Sequence, residues 1–217
     1  MSKKIDCPLC YLKSAVLYQK VDGKKYFICS NCDLVFLSDK DRLSKEEEKK
    51  RYDLHENDPD DKNYRKFLSK IFIPMQNIIA APAKGLDYGS GPGPLLAQMF
   101  EEKGYSMKTY DPYYNEQEAV LEENYDFITC TEVVEHFYNP GQEFRKLINL
   151  LNEKGILGIM TETREKINNF ETWHYRRDPT HVCFYSDKTF DWLSEKFNLQ
   201  RIKNSTRVNI FKNSQVG

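Results

Sequence analysis

Leu86-Asp87-Tyr88-Gly89-Ser90-Gly91-Pro92-Gly93-Pro94 is an apolar strand end that runs into a glycine turn. Leu96, Met99 and Phe100 then mark one face of a helix that ends at Gly104. Glycines at such a junction allow a tight turn and let backbone N–H groups approach a ligand at the positive end of the helix. Asp111 follows Gly91 by 20 residues and closes the strand Met107 to Tyr110. A carboxylate at that place can accept from both hydroxyls of a ribose. A dinucleotide fingerprint would need glycine at position 94, where the chain has Pro94, so a nicotinamide oxidoreductase is disfavoured.

Downstream of this turn, strand and helix patterns alternate. Tyr125 to Thr131 reads as a strand, and Phe144, Leu147, Ile148 and Leu151 sit at i, i+3, i+4 and i+7, a core-facing helix stripe. Ile156 to Met160 reads as a buried strand, and Ser186 or Asp187 caps a helix carrying Phe190, Leu193 and Phe197. Val208 and Ile210 mark a last strand. This alternation predicts an α/β fold, a parallel sheet with helices on both faces. Only 13 residues separate Asp111 from Tyr125, too few for the additional strand of a doubly wound sheet, so the sheet is expected to be trimmed by one strand.

Upstream, Cys7-Pro8-Leu9-Cys10 and Cys29-Ser30-Asn31-Cys32 are separated by 18 residues, the spacing of a zinc ribbon. Two C-x2-C turns bring four thiolates to one ion in a closed tetrahedron. Val16 to Lys20 and Lys25 to Cys29 flank Asp22-Gly23, a hairpin signal, and Val35 with Leu37 extends a third strand. So short a segment needs a staple, which zinc supplies. The expected organisation is a ribbon over 1–40, a helical linker or N-terminal cap over 41–83, and a Rossmann-like domain over 84–217. Within the linker, the charge run Asp39 to Tyr52 reads as a solvated helix. His55, Asn57 and Asp58 before Pro59 read as an Asx-Pro cap, and Pro74 and Pro82 bracket a short apolar helix.

The 217 residues include 32 Lys+Arg and 33 Asp+Glu, a net charge of −1. That balance argues against a protein that coats long nucleic acid. Hydrophobic residues at 40% are sufficient for a core. No apolar stretch approaches bilayer length, and MSKKIDCPLC lacks a secretory apolar segment. The expectation is a cytoplasmic protein that keeps its cysteines reduced, with Cys130 and Cys183 in the core.

Asp87 to Gly93 together with Asp111 resembles motif I and the following acidic position of class I S-adenosylmethionine-dependent methyltransferases. Tyr125 to His136, YDFITCTEVVEH, resembles the next strand of that family and the loop lining its methyl donor. The likeness covers about residues 84–212. With the ribbon and WHYRRDPTHVCFYS at 173–186, the chain resembles a bacterial group of zinc-ribbon-bearing methyltransferases. The resemblance implies that the donor's methionine end lies over Gly89, Ser90 and Gly91, with Asp87 supporting the loop and the donor ammonium. It places the ribose on Asp111, Pro112 or Tyr113 beside the adenine, and Thr131 and Glu132 along the donor wall.

Glu132, Glu135 and His136 form E-x-x-E-H, which can hold Mg2+ or Mn2+. The spacing is similar to the metal sites of ubiquinone-pathway O-methyltransferases and of small-RNA 2′-O-methyltransferases, the latter adding a histidine for which His181 is the candidate. The simpler reading, which we favour, has Glu135 and His136 capping a helix in a metal-free enzyme. Trp173, Tyr175 and Arg176 in the 173–186 loop are candidate substrate contacts, and His181 a candidate base for a hydroxyl or amine acceptor. The function expected is methylation, on O or N, of a small polar molecule. The competing readings are a metal-assisted methyltransferase of RNA or another macromolecule docked through the ribbon, and a non-catalytic cofactor-binding ribbon module.

Overall fold

The computed structural model describes residues 4–53, 61–203 and 205–214. Strands β1 (Ala15–Val21) and β2 (Lys24–Cys29) form an antiparallel hairpin, with Asp22 and Gly23 at φ 51° and 81°. Both central residues at positive φ give the twist that a two-residue hairpin turn requires. Strand β3 (Val35–Leu37) pairs antiparallel with β2. Helix α1 (Lys45–Tyr52) starts on a capping box between Ser44 and Glu47. Helix α2 (Lys62–Gln76) continues through Pro74, where the sequence predicted a break. Pro74 removes the N–H that would have bonded the Lys70 carbonyl, and the helix ends two residues later at Gln76. The His55–Asp58 stretch and Pro59 lie outside the described residues.

The large sheet then follows. Its elements are β4 (Lys84–Tyr88), α3 (Leu95–Glu101), β5 (Ser106–Tyr110), β6 (Tyr125–Thr131), α4 (Pro140–Asn149) and β7 (Leu151–Met160). After a long connection come β8 (Cys183–Phe184), α5 (Asp187–Phe197), β9 (Leu199–Lys203) and β10 (Val208–Asn213). The strand order is β5-β4-β6-β7-β10-β9. Strands β5, β4, β6 and β7 run parallel, while β10 is antiparallel to both its neighbours. Between β5 and β6 the chain makes turns and one 3-10 segment, Glu118–Glu122, and no strand. The sheet is therefore trimmed at its β5 edge. The chain steps from β4 out to β5 and then back across β4 to β6, which opens a crevice at the carboxyl ends of β4 and β6 where such sheets bind ligands.

Two apolar clusters pack the sheet. One gathers Leu68, Ile71, Phe72 and Met75 of α2 with Phe100 of α3. The other joins Phe144, Leu147 and Ile148 of α4 and Phe190 of α5 to Leu9, Leu34 and Val35 of the N-terminal segment. The small sheet has the order β1-β2-β3-β8, so its last strand comes from beyond β7. The N-terminal hairpin is thus completed by the very segment that the sequence suggested as a substrate loop.

Candidate active site and cysteine cluster

At the mouth of β4, Gly89 and Gly91 have φ of 79° and 64°. A Cβ on Gly89 would meet Val133 side-chain atoms at 2.4 Å, so both conformation and space call for glycine there. Asp111 Oδ2 accepts from Gly91 N at 2.9 Å, and its Oδ1 accepts from the N–H groups of Tyr113 and Tyr114 at 2.9 and 3.2 Å. These bonds fix the carboxylate at the edge of a cavity of about 850 Å³. Gly89, Ser90, Gly91, Asp111, Pro112, Tyr113, Thr131 and Glu132 all line it. Asp87 lies behind the loop, bonded by Thr129 Oγ1 at 2.7 Å, and burial pushes its carboxyl up to about 6.

The cavity suits a nucleoside-bearing donor on three counts. Its volume lies within the usual range for ligand sites, the backbone is bare at Gly89 and Gly91, and Thr131 Oγ1 is buried without a hydrogen-bond partner. Such an orphan hydroxyl calls for a ligand or a water.

The opposite wall is assembled from distant segments. Glu135 is fully buried and accepts from Thr161 Oγ1 at 2.9 Å and from the Tyr175 hydroxyl. His136 Nδ1 lies 3.0 Å from Thr180 O, and His181 Nδ1 lies 2.6 Å from Tyr175 O. A carbonyl only accepts, so both Nδ1 atoms carry the proton. The two imidazole rings are 4.8 Å apart. Burial pushes His181 below its ordinary value and Glu135 above its own.

The structure thus revises the sequence expectation for the E-x-x-E-H run. Glu135, His136 and His181 bring one ligand atom each within 4.8 Å of one another, whereas Glu132 is not in that group. Glu132 adopts φ 53° and turns to Arg207, 3.2 Å away. Nor do Glu135 and His136 cap a helix: the cap position of α4 belongs to Asn139. Burial, with Glu135 nearby, pushes Glu132 up to about 8.

The three loop candidates separate. Tyr175 lines the cavity. Trp173 lies outside it, donating its indole N–H to Glu162 at 3.0 Å and lining a neighbouring cleft of about 540 Å³. Arg207 bridges Glu162 and Glu132 and borders both spaces. Arg176 faces the ribbon, with Nη2 on Asp22 Oδ2 at 3.0 Å and on Glu171 O at 2.9 Å. A guanidinium committed to those partners is not free for an acceptor, which corrects its expected role.

Arg207 and a helix α1 pair were invisible in the sequence. Glu48 is 6% exposed and lines the cavity with Tyr52. It belongs to a charge run that reads as solvated, and no spacing distinguishes it from Glu46 or Glu47.

Sulfur atoms of Cys7, Cys10, Cys29 and Cys32 lie within 4.8 Å of one another. Cys7–Cys32 and Cys10–Cys29 are each 3.5 Å apart, close to the ~3.8 Å edge of a tetrahedron with Zn–S bonds of about 2.3 Å. Hydrogen bonding with Cys29 pushes the Cys7 and Cys32 thiols up and holds Cys29 down.

A family model described as a methyltransferase domain matches residues 56–204. The chain belongs to that family. It is an S-adenosylmethionine-dependent methyltransferase of Rossmann-like fold. Among solved structures, it resembles 1,6-didemethyltoxoflavin-N1-methyltransferase of Burkholderia thailandensis, solved with bound 1,6-didemethyltoxoflavin and S-adenosylhomocysteine, with TM-score 0.56 and 12% identity. That likeness covers 93% of this chain and 100% of the other. A S-adenosylmethionine-dependent methyltransferase from Archaeoglobus fulgidus matches with TM-score 0.48 and 15% identity, over 69% and 99% of the two chains. An N-methyltransferase from Bradyrhizobium japonicum matches with TM-score 0.46 and 14% identity, over 72% and 99%. No curated protein matches the sequence. Among the described residues, no helix of this methyltransferase is long and apolar enough to cross a membrane.

Proposed function

We propose that the methyltransferase moves the methyl group of S-adenosylmethionine to a small polar acceptor held in the 850 Å³ cavity, with His181 as the base. One observation carries this reading. His181 gives its Nδ1 proton to Tyr175 O, which makes Nε2 the proton acceptor of an imidazole lining the same cavity as the glycine loop and Asp111. The donor supplies an electrophilic methyl on a sulfonium. Gly89, Ser90 and Gly91 carry its methionine end and Asp111 its ribose, while Pro112 and Tyr113 border the adenine and Thr131 offers a hydroxyl. These groups contribute orientation and exclusion of water. His181 takes the proton of an acceptor hydroxyl or amine as the nucleophile attacks.

Burial favours the neutral imidazole, so the base form persists below the ordinary value of 6.5. The rate is therefore expected to be flat at neutral pH and to fall only once pH drops through a midpoint below 6.5. An acid limb centred above 6.5 would remove His181 from this role.

The four cysteines hold one structural Zn2+ in this reading, and the cytoplasm keeps them reduced. The convergence of Glu135, His136 and His181 supports a second reading, a divalent cation assisting transfer to a macromolecule such as RNA. The Nδ1–carbonyl bonds leave both Nε2 atoms open to a cation as well as to a proton, so a metal requirement of the rate separates the two readings. After brief EDTA treatment, added Mg2+ or Mn2+ should leave the rate unchanged, and restoration of a lost rate would establish the second reading.

A further inference from the structure

We infer that the acceptor carries a basic amine and that Glu48 is the residue that recognises its positive charge. Glu48 comes from helix α1 and reaches the cavity almost entirely buried. Its Oε1 accepts from the Tyr52 hydroxyl and its Oε2 from the Tyr113 hydroxyl, each at 2.8 Å. Neutral hydroxyls orient a carboxylate but do not balance its charge, and a buried charge without a counter-ion is costly. Among the described residues no basic side chain lies within ion-pair distance of Glu48, and Lys45, one turn earlier on the cavity wall, makes no such pair.

Apart from Lys45, the charges nearest the donor loop have partners of their own. Glu132 meets Arg207, and Glu143 meets Lys146 at 3.3 Å. Asp111 is bonded to three backbone N–H groups, and Asp178 accepts from the Thr180 amide and hydroxyl. Arg176, the side chain that would have bound an anionic acceptor, points to the ribbon. Around Glu48 the surface is aromatic: the Tyr52 ring lies 5.4 Å from both Tyr113 and His136. A carboxylate set among aromatic faces selects an organic cation. It repels a carboxylate or phosphate.

Glu48 touches Tyr113 beside the proposed donor site and, through Tyr52, His136 on the opposite wall, so the donor's own positive charge is the competing source of this chemistry. The inference rests on the small-acceptor reading above. Its test uses the full zinc-loaded chain saturated with S-adenosylhomocysteine, titrated by calorimetry with phenethylamine, benzyl alcohol and phenylacetate. These share a ring and differ in charge. Phenethylamine should bind at least ~10-fold tighter than phenylacetate, the scale of one charge-assisted contact. Glu48→Gln, which still accepts from a tyrosine, should erase that preference and leave the affinities for S-adenosylmethionine and S-adenosylhomocysteine unchanged.

Equal binding of the three probes by the unmodified protein would overturn the inference without need of any variant. A Glu48→Gln protein that loses S-adenosylmethionine affinity while keeping the amine preference would assign the carboxylate to the donor instead. Failure of the small-acceptor reading looks different: transferred label would appear only in macromolecules, whatever these probes do.

Discussion

The cysteine cluster and the Glu135–His136–His181 cluster both gather metal-capable side chains within 4.8 Å, but they are built in opposite ways. The first comes from two turns of four residues whose spacing alone specifies a tetrahedron. The second draws on a 3-10 turn after β6 and a loop 45 residues later, and backbone carbonyls already hold its imidazoles. The first offers four thiolates to one ion, and the second offers two imidazole Nε2 atoms beside a buried carboxylate. The two are also joined, because β3 hydrogen-bonds β8 and Leu37 N donates to Val182 O at 2.8 Å, next to His181. Val182 N in turn donates to Glu135 O at 2.9 Å. Arg164 and Ser186 bind Asp33 at 2.6 Å from the same side. The N-terminal segment is therefore part of the scaffold of the cavity wall that carries His181.

The largest expected effect breaks the cysteine side. Cys29→Ser should abolish zinc in elemental analysis and remove a folding contribution on the order of 10 kcal/mol. If the two regions are joined as described, amide exchange should accelerate at Val182 as well as in β2. A variant retaining metal and stability, or one whose β8 stays protected after the ribbon melts, would separate the two regions.

Breaking the other side should leave zinc untouched. His181→Ala is expected to lower the transfer rate by about 10²–10⁴, the range for a general base, with S-adenosylhomocysteine affinity and metal content unaltered. Unchanged turnover would make His181 a packing residue. Across the cavity, Asp111→Ala should weaken S-adenosylmethionine binding by about 1.5–3 kcal/mol, read by calorimetry, and unaltered affinity would remove the carboxylate from the donor site.

The smallest effect sharpens the boundary between the regions. Arg176→Ala should cost about 1 kcal/mol of stability, because its partner Asp22 is largely exposed and screened. The acceptor KM should not change. A raised KM with unaltered stability would return Arg176 to the substrate.

What could be read from the sequence follows the same division. The glycine turn, Asp111, the missing strand after β5 and the hairpin at Asp22-Gly23 are local features, encoded by neighbours in the chain. The pairing of Cys183–Phe184 with β3 has no such signal, because two residues carry no periodicity. Strand β9, LQRIK, is short and half-exposed, so its pattern is as weak. Arg176 showed its charge but not its direction, which is set by a hairpin 150 residues away. Glu48 showed least of all: three glutamates stand in a row, and only the packing of α1 on Tyr113 decides which one is buried.

Incubation of the zinc-loaded protein with methyl-labelled S-adenosylmethionine and pooled metabolites, protein and RNA tests the central claim most directly. Label should accumulate in a small molecule, and Asp111→Ala and His181→Ala should each suppress it. Label confined to RNA or protein, or no transfer by a protein that binds the donor, would contradict the account.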